Sequence, residues 1–190
     1  MNKLDKLKQY AAEHHIPIIT PDVEKLLCNL LVKHKPQKIL EIGTAIGYSA
    51  LIMSNCIDCH IDTIERNEER ANMARENLKG KNVNIITANC KAWIKENRDK
   101  KYDFIFQDGP IGQYLSMYDT LKETLNPGGI LFCDNVLYNG LVLGDEFVIH
   151  KRRAMVVNLR KFLDRIQNDS SVTTEILEIG DGIAIITKNN

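Results

Sequence analysis

Short apolar runs that stop at a glycine or an acid alternate along this chain with longer segments rich in Glu, Lys, Arg, Asn and Leu. A strand buried on both faces needs such a run, and a parallel neighbour needs a crossover between, so the alternation predicts an α/β domain with a mainly parallel sheet and helices on both faces. The runs at 38–42, 60–65, 83–88, 102–107 and 130–133 supply five parallel strands. The rhythm then changes: 174–179 and 183–187 flank Gly180-Asp181-Gly182 and read as an antiparallel C-terminal hairpin, completing seven strands. Pro21 and Asp22 open a helix running to about Lys35, with Thr20 as N-cap and Pro36 as its stop. Met155, Leu159, Phe162, Leu163 and Ile166 recur at helical spacing and give a second helix with one apolar face.

At 190 residues the chain fits one domain, 1–190, with an N-terminal helical segment over 1–36. No apolar run approaches the roughly 20 residues of a membrane helix, and Met1-Asn2-Lys3-Leu4-Asp5-Lys6 does not open a secretory signal, so the cytoplasm is expected and a membrane is not. Five scattered cysteines predict buried small residues in a reducing compartment and no disulfide framework. Cys56 and Cys59 form a C-x-x-C, but no second pair or spaced histidine completes a zinc site. A net charge of zero gives no whole-surface attraction to nucleic acid; DNA is not expected as a partner, and any RNA contact requires a local patch.

Glu41-Ile42-Gly43-Thr44-Ala45-Ile46-Gly47-Tyr48-Ser49 follows a predicted strand and opens a helix, so a ligand can approach the backbone there. The middle glycine of G-x-G-x-x-G is missing and no Gly-Lys-Ser/Thr follows, which argues against a pyrophosphate or a P-loop. Glu65 ends the next strand, where a carboxylate can accept from both hydroxyls of a ribose; pairing with Arg66 or Arg70 is the plain alternative. Glu41 two residues before Gly43 at a strand end resembles the first motif of S-adenosylmethionine methyltransferases, and so does a parallel sheet finished by a hairpin. By that resemblance the glycine turn takes the amino acid part of the cofactor, and Asn89-Cys90 stands where such enzymes have Asp-Ala against the adenine.

Asp108 ends the fourth predicted strand and Asp134-Asn135 the fifth. Two carboxylates and an amide are an all-oxygen set suited to Mg²⁺ or a similar hard cation, whereas zinc asks for His or Cys. Each residue alone also suits simple capping of a strand end.

Phe106-Gln107-Asp108 and Phe132-Cys133-Asp134-Asn135-Val136-Leu137-Tyr138-Asn139-Gly140 resemble the cation-dependent O-methyltransferases of the catechol and caffeoyl-CoA type, over nearly the whole chain. The implied fold is the Rossmann-like class I S-adenosylmethionine methyltransferase. His14-His15-Ile16-Pro17-Ile18-Ile19, the glycine motif and His150-Lys151-Arg152-Arg153 are most similar to the bacterial tRNA 5-hydroxyuridine methyltransferases, which make 5-methoxyuridine at the wobble position. The resemblance places S-adenosylmethionine against Ile19, Ser49, Glu65, Cys90 and Asp108, gives Asp108, Asp134 and Asn135 the metal and the catalysis, and implies a homodimer. Where the wider family carries an assisting lysine, three residues after the first metal aspartate, this chain has Ile111. Lys151, Arg152 and Arg153 suit phosphates flanking a base stacked on Tyr138, with Lys33, Lys35 and Lys38 as a second patch. A solvated charged helix face, a phenol on Tyr138, and a binding protein without turnover are the competing readings.

Overall fold

A computed structural model describes residues 2–138, 140–144 and 150–190, without the side chains of His150 and Lys151. The seven strands lie in the order β3-β2-β1-β4-β5-β7-β6. They are β1 (Lys38–Ile42), β2 (His60–Glu65), β3 (Val83–Thr87), β4 (Tyr102–Gln107), β5 (Leu125–Cys133), β6 (Val172–Leu177) and β7 (Ile183–Lys188). The predicted α/β architecture with a C-terminal antiparallel hairpin is therefore present. The chain divides into two compact units, Met1–Trp93 and Ile94–Asn190.

In the first unit β1 pairs parallel with β2 and β2 with β3, so that Glu41 faces Thr63 across the ladder. Helices α1 (Lys3–Glu13), α2 (Pro21–His34), α3 (Tyr48–Cys56) and α4 (Glu68–Asn77) accompany these strands, and α5 (Cys90–Glu96) follows. Thr20 caps α2 through its side chain, which accepts from the Val23 N–H, and Pro21 occupies the first turn where its missing N–H costs nothing. The helix stops because Lys35 turns left-handed, φ 49°, just before Pro36. Val23, Leu27 and Leu31 form its buried stripe.

Cys28 on α2 and Cys56 on α3 are joined as a disulfide, with Cα atoms 5.8 Å apart, against the expectation of unpaired cysteines. The pair is 28 residues apart, and only the packing of α2 on α3 brings it together. Cys56 is thereby removed from the C-x-x-C with Cys59, whose buried thiol is pushed up to about 11 by desolvation. Cys133 is buried and free as expected.

In the second unit β4 pairs parallel with β5, while β7 runs antiparallel to both β5 and β6. A short 3-10 turn, Ile111–Gln113, leads into α6 (Tyr114–Thr124), and α7 (His150–Gln167) precedes the hairpin. β5 begins at Leu125, five residues before the predicted start, because Tyr102 pairs with Leu125 and Phe104 already with Ile130, so that 126–129 bulge out of the ladder. Phe104, Phe106, Phe132, Tyr114, Tyr118 and Phe162 are fully buried and form the aromatic part of this unit's core. Val156, Leu159, Phe162, Leu163 and Ile166 are the buried stripe of α7, as the spacing predicted for all but Met155 and Val156.

Candidate active site

The glycine turn is held from below. Gly43 and Thr44 donate their N–H groups to the Ile64 carbonyl at 3.0 and 3.3 Å, which ties the loop after β1 to the end of β2. Gly43 and Gly47 take φ of 102° and 84°, open to glycine without cost. A Cβ on Gly47 would come within 3.0 Å of Leu78 Cδ1, so the missing side chain lets the end of α4 pack against the turn. Asn77 Nδ2 adds a hydrogen bond to the Ile46 carbonyl at 2.9 Å.

Glu41 is fully buried, and its two carboxylate oxygens accept from the hydroxyls of Ser49 and Thr63. Thr63 is in turn hydrogen-bonded to Thr44, so four side chains link β1, the turn, the first turn of α3 and β2. Glu41 and Ser49, both predicted to meet the cofactor, are thus brought together and spend these bonds on each other. Thr44 and Thr63 were not predicted; the available signal was a polar residue at the register partner of a buried acid. Burial pushes the Glu41 carboxyl up to about 7, opposed by the two hydroxyls and reinforced by the charge of Glu65.

The folded state therefore holds a proton that the unfolded chain releases near pH 4.5, so this group's stabilising contribution is fully present below that pH and is lost as pH rises through about 7. Glu41→Gln, which cannot ionise, is expected to gain in melting temperature relative to wild type as the pH is raised from about 5 to about 8. A difference that stays constant with pH would show that Glu41 is ionised throughout.

Glu65 is 8% exposed, and its carboxylate accepts from the Ala45 N–H at 3.0 Å and the Asn67 N–H at 2.8 Å, in place of an ion pair with Arg66 or Arg70. Each oxygen keeps a second acceptor direction for a ribose hydroxyl. Asn89 is exposed and its Oδ1 accepts from the Ala92 N–H at 3.2 Å, capping α5. Its Nδ2 is the atom left for a ligand. Cys90, half-buried, is the first residue of that helix, and Ile19 is buried in the segment before α2. Ile19, Glu41, Gly43, Ser49, Glu65, Asn89 and Cys90 all belong to the first unit.

In the second unit the strand ends bring the side chains of Asp108 and Asn135 together, with Asp134 beside Asn135 in sequence. Asn135 adopts φ 61°, which turns its side chain back so that Nδ2 donates to Asp108 Oδ1 at 3.0 Å. Its own N–H donates to Asp134 Oδ1 at 2.7 Å. Burial lifts the Asp134 carboxyl to about 6; the Asn135 N–H opposes this and the charge of Asp181 adds to it. Among the described residues no cluster of three His, Cys, Asp or Glu side chains occurs, so the group is two carboxylates and one amide. That set fits a hard cation, with the Asn135 amide turned to present its oxygen. A desolvated carboxylate beside a second acid gains most from a positive charge.

Tyr138 is half-buried, with φ 45° and the Arg152 guanidinium 5.9 Å from its ring centroid. Arg152 and Arg153 are exposed on the first turn of α7, whereas the Lys151 side chain and Asn139 lie outside the described residues. Arg160 donates to the carbonyls of Leu141, Val142 and Gly144 and holds the segment after Tyr138 against α7. Ile111 opens the 3-10 turn, so no amine follows Asp108 on this loop.

A parallel sheet finished by an antiparallel hairpin, with a glycine turn after β1 and an acid ending β2, defines a class I S-adenosylmethionine methyltransferase. Residues 1–189 match the O-methyltransferase family model, and the chain belongs to that family. It is an S-adenosylmethionine-dependent O-methyltransferase. Caffeoyl-CoA O-methyltransferase of Stellaria longipes is 26% identical over 194 residues, covering 95% of this chain and 80% of that protein. A Staphylococcus aureus crystal structure, described as a candidate caffeoyl-CoA O-methyltransferase, superposes with TM-score 0.91 at 31% identity over 100% of this chain and 93% of that one. The Bacillus cereus O-methyltransferase in complex with SAH gives TM-score 0.87 at 23% identity, over 98% and 90% of the two chains.

Proposed function

We propose that this O-methyltransferase acts on 5-hydroxyuridine at the tRNA wobble position, forming 5-methoxyuridine, with a divalent cation such as Mg²⁺ held by Asp108, Asp134 and Asn135. The observation that carries the RNA reading is the cation over an aromatic ring, Arg152 on Tyr138, three residues beyond Asn135. A ring to stack on a base and guanidinium groups to meet its phosphates are the chemistry of nucleotide recognition.

Glu65 would accept from the cofactor's ribose hydroxyls, the Gly43 turn would admit its amino acid end, and Asn89 Nδ2 and Cys90 would border the adenine. Asp108, Asp134 and Asn135 would fix the acceptor's position by fixing the cation. The cation, when bound, supplies Lewis acidity that lowers the pKa of the acceptor hydroxyl. The remaining work is positioning, since methyl transfer from a sulfonium needs an in-line approach. A homodimer in the cytoplasm belongs to the same proposal; no helix among the described residues is long and apolar enough to cross a membrane.

Nucleoside mass spectrometry of tRNA from cells lacking the protein tests this directly. Accumulated 5-hydroxyuridine with loss of 5-methoxyuridine is expected, and an unchanged profile would remove RNA as the substrate. The likeness to plant caffeoyl-CoA enzymes favours a second reading, a small phenol. Transfer to an anticodon stem-loop is expected to fall steeply with salt and with Arg152→Ala plus Arg153→Ala, while transfer to a free catechol would respond to neither.

A further inference from the structure

The geometry points to Tyr114 as a positioning residue that sets the spacing of the two strand ends carrying the oxygen ligands; this rests on the proposed metal role of Asp108, Asp134 and Asn135. Tyr114 is fully buried, and its hydroxyl lies 2.9 Å from the Gln107 carbonyl and 2.9 Å from the Asp134 carbonyl, with one proton to share between them. Those carbonyls belong to the peptide bonds that lead into Asp108 and Asn135. The β4–β5 ladder ends at Gln107 and Cys133, and the Asp134 N–H adds a last bond to the Gln107 carbonyl at 3.0 Å.

Tyr114 Oη is therefore a latch placed just past the end of the regular pairing. It holds both peptide planes from which the ligands project. Only Gly109 to Gln113 separate Asp108 from Tyr114, and a side chain on the first turn of a helix leans back toward the N-terminal end, here the strand ends. The ring is seated edge-on against Phe162, with centroids 5.7 Å apart, so the hydroxyl's position is fixed from the core.

Tyr118 supplies the control. It packs on the same Phe162 at 5.9 Å, but its hydroxyl donates to Asp169 at 2.9 Å. The test is Mn²⁺ affinity, followed by electron paramagnetic resonance, in the full-length wild type, Tyr114→Phe and Tyr118→Phe, with melting curves in chelator for each. Both variants lose a hydroxyl hydrogen bond, buried at Tyr114 and part-buried at Tyr118, and are expected to melt below wild type. Tyr114→Phe alone is expected to weaken Mn²⁺ binding, by about ten- to a hundredfold, the scale on which groups supporting metal ligands act.

Equal Mn²⁺ affinity in wild type and Tyr114→Phe overturns the inference while leaving the metal reading standing. An equal loss in Tyr118→Phe also overturns it, because the effect would then be one of general stability. Absence of Mn²⁺ binding by wild type overturns both the metal reading and the inference drawn from it.

Discussion

Asp134→Ala is expected to lower methyl transfer on the order of a thousandfold, the scale of several kcal/mol of charge stabilisation at about 1.4 kcal/mol per tenfold, and to abolish its response to added Mg²⁺. Asp134 is 4% exposed, and burial has raised its pKa to about 6, so its charged form gains from a counter-charge. Its loss is therefore expected to leave the metal-free fold melting close to wild type, while wild type alone gains stability on addition of Mg²⁺. Full turnover by the variant in excess chelator would eliminate the metal from the mechanism.

Gly182→Ala is expected to be the most damaging single-methyl change. Gly182 sits at φ 85°, and its Cβ would fall on the Leu137 side chain, 2.6 Å from Leu137 Cβ and closer still to Cγ. The Gly182 carbonyl accepts from the Val136 N–H at 2.9 Å, and the Asp181 carbonyl from the Leu137 N–H at 2.8 Å. The tip of the β6–β7 hairpin thus braces the segment that follows Asp134-Asn135. Left-handed strain plus overpacking costs roughly 2–4 kcal/mol, a fall of roughly 5–15 °C in melting temperature for a chain of this size. Mn²⁺ affinity is expected to fall with it, since Leu137 cannot move without dragging Asp134 and Asn135, the proposed cation ligands. A melting temperature within about 2 °C of wild type would mean that the hairpin tip is free to shift.

The strands were legible because a buried parallel strand writes itself as an apolar run: β1, β2 and β4 have the predicted ends. β5 was read too short because Asn126-Pro127-Gly128-Gly129 looks like a turn, and only the bulge opposite Tyr102 and Phe104 lets the chain rejoin the sheet beyond it. Asp108 and Asn135 were legible as strand-end oxygens, and the structure joins them by a hydrogen bond. The supporting residues were not. Thr44, Thr63 and Tyr114 act through partners up to 22 residues away, which no local pattern announces. Asn89 was assigned to the cofactor alone because its role as a helix cap depends on where α5 starts. The Cys28–Cys56 pairing required the α2–α3 packing to be known.

The 3-10 turn that opens with Ile111 puts an aliphatic residue three positions after Asp108, where the resemblance to the wider family places an assisting lysine. With no amine on this loop, the acceptor's proton must leave to water or to a more distant base, or the acceptor must be acidic already. Electron-withdrawing substituents on the acceptor ring should therefore slide the rate-against-pH curve to lower pH.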